Sequence, residues 1–115
     1  MASDRHVLLP EFEAIYIRLL ETTRPHLQGL VLMTPFVIDR HREDPMRRQM
    51  DAYGRAVYAL AQRFDAVFID TQAVFDRLME SLPPTELAWD RIHPGPTGHM
   101  ALARALLDGL GFSWK

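Results

Sequence analysis

GLVLMTPF, residues 29–36, is a short continuous apolar run with Gly29 at one end and Pro35 near the other. That is the pattern of a strand buried on both faces. DAVFIDT, residues 65–71, repeats it. Between the two, a helix is predicted from Pro45 to about Phe64, with Met50, Tyr53, Val57, Leu60, Ala61 and Phe64 on one face. Strands separated by a helix of this length imply a right-handed crossover and a parallel sheet. The fold class is α/β.

Outward from this pair the chain is helical. Pro10, Glu11 and Glu13 mark a helix start, with acids suited to the positive end of the dipole. Phe12, Ile15, Tyr16, Leu19 and Leu20 form its apolar face, and Pro25 stops it near Thr23. A shorter helix is predicted over Gln72–Ser81, broken by Pro83 and Pro84. The last opens at Pro96 or Gly98, faces inward with Ala103, Leu106, Leu107 and Leu110, and ends at Gly109–Gly111. Met33, Met46, Met50, Met79 and Met100 read as core filling.

Two parallel strands do not make a stable sheet alone, because each carries an unpaired edge and both faces need cover. Residues 1–115 therefore read as a single partial domain of an α/β sandwich. The edge of Leu30–Thr34 has to be covered. A homodimer is the expected solution, through that strand across a two-fold axis or through exchanged helices.

At 115 residues the chain holds one domain at most. A net charge of −2 gives no basic footprint for nucleic acid. The absence of cysteine excludes disulfides, a thiolate nucleophile and a cysteine zinc site. MASDRHVLLPEFE lacks the apolar core of a signal peptide, and no window approaches a membrane span. The expectation is a soluble chain, cytoplasmic by default.

The chemistry concentrates in ELAWDRIHPGPTGHM, residues 86–100. Asp90 and His93 stand three apart in a Pro/Gly-punctuated loop that runs into the last helix. A carboxylate beside an imidazole is half of a nucleophile-activating triad. DRIHPGPTGHMALARALL resembles the last block of the SGNH/GDSL hydrolases, D-x-x-H-P followed by G-H and an apolar helix. EFEAIYIRLLETTRP, LVLMTPF and MDAYGRAVYALAQRFDAVFIDTQAVF resemble the stretches leading into that block, in the same order. The likeness runs from Pro10 to the end. It implies a partial three-layer αβα, flavodoxin-like unit with two parallel strands and about four helices. It also implies a metal-free and cofactor-free hydrolase of small-molecule esters, thioesters or acetylated sugars, of the esterase/lipase kind.

The resemblance makes Asp90 the triad acid, His93 the base, and His99 a packing residue at the helix start. It brings neither the G-D-S nucleophile motif nor the oxyanion-hole glycine and asparagine blocks, and the chain contains no Asn. It looks like the C-terminal half of such a hydrolase. The hydroxyls that remain as possible nucleophiles are Ser81, Thr34 and Thr97, with water activated by His93 as another route. Ser3 and Ser113 lie towards the chain ends. Backbone N–H groups at Gly95–Gly98 are the candidate oxyanion donors. Trp89 is a candidate substrate-binding residue, lining an acyl pocket or anchoring the loop. Asp39 and His41 form a second possible acid–base pair, in a stretch that otherwise reads as a solvated loop. The spacing of His93 and His99 does not suit a metal site. Two functions follow: a small carboxylic ester hydrolase using the His–Asp pair, or a non-catalytic remnant serving as a scaffold or binding module.

Overall fold

Asp44 starts the long central helix by accepting the Met46 N–H at 2.9 Å, with Pro45 preset in the first turn. In the computed structural model, which describes residues 7–113, this helix (α2) covers Pro45–Arg63. It joins two short strands, β1 (Val31–Met33) and β2 (Val67–Ile69), paired in parallel with Leu32 opposite Phe68. The ladder continues one bond at either end, from Val67 N–H to Leu30 at 2.8 Å and from Thr34 N–H to Ile69 at 3.1 Å. Before β1 lies α1 (Leu9–Thr23). After β2 come α3 (Thr71–Leu78) and α4 (Pro96–Gly109). The fold is α/β, two parallel strands and four helices of a partial domain. Ser3 lies outside the described residues.

The strand period sorts side chains onto two faces. Leu32 and Phe68 point to α1 and α2, where Leu20, Val57, Leu60 and Ala61 close one core with Phe12, Tyr16 and Ile17. Ile69 and Val67 point to α4, which fits closely because Gly109 has no side chain: a Cβ there would stand 3.0 Å from the Ile69 Cδ1. A second core, Ile38, Phe75, Met79, Leu87 and Ala88, packs between α3, α4 and the loops beside them.

Several expectations are corrected. The strands are not buried on both faces: Met33 and Val67 each remain 36% exposed. α4 packs on β2 and leaves the β1 half of its face open. Among the described residues each strand is paired on one side only. α3 ends at Leu78 rather than Ser81, because its last carbonyls bond the N–H groups of a turn through Glu80–Leu82. The inward side of α4 runs through Gly98, Leu102, Ala105, Leu106 and Leu107, with Gly109 close against Ile69, while Ala103 and Leu110 face solvent. Close glycine contacts at both ends of the helix set this rotation. On α1, Ile15 and Leu19 are exposed and Ile17 packs inward. Met79 fills the core as expected, whereas Met100 is 72% exposed. Among the described residues no helix is long and apolar enough to cross a membrane.

Candidate functional site

The loop after the short turn at Pro84–Glu86 is clasped at its base. Ala88 and Pro94 form an antiparallel bridge, and the Gly95 N–H reaches the Leu87 carbonyl at 2.8 Å. Gly98 lets α4 start against this clasp, since a Cβ there would meet Pro94 Cβ at 2.7 Å and the Leu87 carbonyl oxygen at 2.9 Å. The residues that project beyond the clasp are Trp89 to His93.

Asp90 organises the projecting part. Its Oδ1 accepts the N–H groups of His93 at 2.7 Å and Ile92 at 3.0 Å. Its Oδ2 pairs with the Nδ1 of the His93 ring. The hydrogen bond from the ring, then those from the His93 and Ile92 backbones, pull the Asp90 pKa down to about 2. A carboxylate so acidic accepts only, so Nδ1 carries a proton, and in the neutral ring Nε2 presents its lone pair outward. The ring is 71% exposed. It has the orientation and tautomer of a general base.

No hydroxyl of the described residues hydrogen-bonds that ring. The Thr34 side chain is buried at the junction of β1 and α3. Its oxygen accepts the Thr71 N–H at 3.0 Å and lies 3.5 Å from Asp70 Oδ1, while the Thr71 hydroxyl donates to the Thr34 carbonyl. Ser81 is exposed in the turn after α3, and Thr97 is exposed in the first turn of α4. Ser113 is exposed beyond α4. Of the expected oxyanion donors, the Gly95 N–H is already taken by Leu87 and Pro96 has none, which leaves those of Thr97 and Gly98. The His99 ring bonds the Gly95 carbonyl at 3.0 Å within its own helix turn. Trp89 is 85% exposed, so it does not anchor the loop. Among the described residues no three acids or histidines converge as a metal cluster.

Sequence reasoning missed two residues that shape this site. Arg91 has φ of +82° and reaches from the loop to Asp39 Oδ2 at 3.0 Å and Asp44 Oδ1 at 3.2 Å. Gln72 clamps the segment after β1, accepting the Val37 N–H at 2.8 Å and donating to the Val37 carbonyl at 3.0 Å. Neither carries a motif; only a map of spatial neighbours reveals them. Asp39 does pair with His41, at 2.8 Å, and it is held on the other side by Arg91. A groove of about 820 Å³ between α2 and α3, walled by Arg47, Asp51, Tyr58 and Asp76, does not include His93. The Asp90–His93 pair sits on open surface instead.

No family model matches the chain. It is 49% identical over 111 residues to an acetylxylan esterase from Geobacillus stearothermophilus, taking in 96% of this chain and 51% of the esterase. A crystal structure of that enzyme superposes with a TM-score of 0.94 at 48% identity, covering 97% of this chain and 51% of that one. An alpha/beta hydrolase enzyme from the metagenome of Lake Arreo, Spain, superposes with a TM-score of 0.91 at 41% identity, over 95% of this chain and 50% of that one. The chain spans about half the length of the hydrolases it matches. Crystal structures of catalytic mutants of the Geobacillus enzyme carry substitutions at a serine near its start, at an aspartate, and at a histidine three residues later. Further mutants replace the tryptophan directly before that aspartate and a tryptophan beyond the histidine. Trp89, Asp90 and His93 reproduce the first spacing. Trp114, outside the described residues, stands as far from His93 as the second tryptophan from its histidine.

Proposed function

We propose that this chain carries the acid–base half of an SGNH-type carboxylic ester hydrolase acting on acetyl esters of a carbohydrate. The observation that carries the reading is the His93 ring, fixed by Asp90 through Nδ1 and open to solvent at Nε2. The 49% identity to an acetylxylan esterase supports the substrate class. Nε2 takes the proton of an attacking hydroxyl, Asp90 stabilises the imidazolium, and the same proton passes to the departing sugar oxygen. Water then repeats the sequence and releases acetate.

The attacking hydroxyl belongs to the other half of the hydrolase unit, on the same polypeptide or on another. Two observations support this source: none of Thr34, Ser81 and Thr97 bonds His93, and the catalytic serine of the Geobacillus enzyme falls in the half this chain does not match. That half also supplies a strand to the open edge of β1. Water on His93 is the slower route of the chain alone.

Self-pairing of Leu30–Thr34, or helix exchange, is the other way to cover the edge. It is favoured by the exposed Met33 beside it.

The test is acetate release from acetylated xylo-oligosaccharide by this chain, alone and mixed with the serine-bearing half of the Geobacillus esterase. Activity that appears on mixing and vanishes with His93→Ala is expected. Equal rates for wild type and His93→Ala overturn the role of His93, and no rate in any combination favours the scaffold reading. Light scattering of the unmixed chain reads the homodimer.

A further inference from the structure

We infer that Arg91 is a positioning residue for the Asp90–His93 pair, holding the loop backbone in the turn that keeps the imidazole on its carboxylate. The inference rests on the reading of that pair as the acid–base group. It goes beyond it by naming what keeps the pair in place on an exposed loop.

Arg91 stands directly after Asp90, and its φ of +82° is uncommon for a residue with a Cβ. Across this turn the next two N–H groups, those of Ile92 and His93, close on Asp90 Oδ1. Something has to hold the unfavourable backbone, and the neighbouring contacts supply it. The Arg91 carbonyl accepts the N–H of Ile38 at 2.7 Å, and Ile38 is fully buried in the second core.

The side chain adds two ionic contacts to separate anchors. Asp39 follows Ile38 and is itself fixed by the His41 N–H at 2.9 Å. Asp44 caps α2 through the Met46 N–H. Nε and Nη2 of Arg91 are shielded from solvent, and neither makes a well-aligned hydrogen bond, so the attraction is that of charges at 3.0 and 3.2 Å. The planar guanidinium sets Nε against Asp39 and Nη2 against Asp44 at once. The catalytic loop is thereby tied to the start of α2 and to the segment after β1.

The test separates the side chain from the backbone strain. Glycine accepts positive φ without penalty, so Arg91→Gly removes the tether while tolerating the turn. Arg91→Ala removes the tether and keeps the strain. The readout is the His93 ring tautomer in the free chain at pH 8, from long-range nitrogen–proton NMR. Wild type is expected to show the Nδ1–H form. Arg91→Gly and Arg91→Ala are expected to shift the ring towards the Nε2–H form favoured by free imidazole, and Arg91→Lys to fall between. In the mixed, active preparation Arg91→Gly is expected to lower kcat about tenfold with KM unchanged, a transition-state loss rather than a binding loss.

Wild-type ring signals in Arg91→Gly overturn the inference, as does a melting-temperature loss with the tautomer unmoved. If Arg91→Ala fails to fold, Arg91→Gly decides. The NMR arm needs no activity, so it fails or stands independently of the His93→Ala result.

Discussion

Asp90 holds His93 twice, by the backbone N–H at 2.7 Å and by the ring Nδ1, so one carboxylate sets both the loop and the imidazole. Asp90→Asn keeps the size but replaces an acceptor-only oxygen with an amide that prefers the wrong tautomer. Ester hydrolysis by the mixed preparation is expected to fall about 10³–10⁴-fold, mostly in kcat. Steady-state kinetics checks it. Asp90→Ala also releases the Ile92 and His93 N–H groups, and its loop amides are expected to exchange faster with deuterium than those of Asp90→Asn.

The same bonds make stability depend on pH. The folded-state pKa of Asp90 lies at about 2, below the roughly 3.9 of an unfolded aspartate. A depressed carboxylate contributes stability that is complete above the unfolded value and lost as pH falls towards the folded one. Asp39, held low first by the His41 backbone N–H and then by its ring, acts in the same direction. Melting temperature is expected to be level with respect to these two groups down to about pH 4 and to drop between about pH 4 and 2. Asp90→Asn is expected to flatten part of that drop in thermal scans.

Thr34 gives the sharpest separation of structure from catalysis. Thr34→Val keeps the shape but deletes the acceptor of the Thr71 N–H. A buried donor left without its partner costs about 1–3 kcal/mol. Reduced stability in urea with unchanged ester hydrolysis is expected. A hydrolysis loss of two orders of magnitude would instead make this hydroxyl the nucleophile.

Arg47 is the buried charge of the α2–α3 contact, its side chain 5% exposed. It bonds Asp76 twice, at 2.7 and 2.9 Å, and Asp51 once, at 2.8 Å. Arg47→Ala leaves Asp76 with the Gln72 amide at 3.1 Å and the more distant Arg42 at 3.5 Å, and breaking such a buried pair costs up to about 3–5 kcal/mol. Arg47→Ala/Asp76→Ala is expected to be more stable than Arg47→Ala alone, because the carboxylate that has lost its main partner is gone too. Chemical denaturation of the set measures this.

Gly98 carries the last prediction. Its missing side chain leaves room for the Leu87 carbonyl and for Pro94. Gly98→Ala forces two backbone segments apart and is expected to cost about 1–3 kcal/mol despite the better helix propensity of alanine. A lower melting temperature together with a loosened Asp90–His93 loop checks it.

By itself the sequence determined the elements and their order. The apolar runs at Leu30–Thr34 and Ala66–Ile69, separated by a long amphipathic helix, allow little but a parallel βαβ unit. The Asp90–His93 spacing was legible because a short loop brings residues three apart together without help from the rest of the fold. Tertiary structure decided what depends on distant neighbours. It rotated α1 and α4 from their expected faces, in α4 because close packing at Gly98 and Gly109 outweighs an average apolar stripe. It left the β1 half of the sheet open, and it spent the Thr34 hydroxyl on a strand–helix junction. It also brought Arg91 to Asp39 and Asp44, some fifty residues earlier in the chain. Short-range chemistry is written in spacing along the chain, whereas burial and ion pairing are decided where separate segments meet.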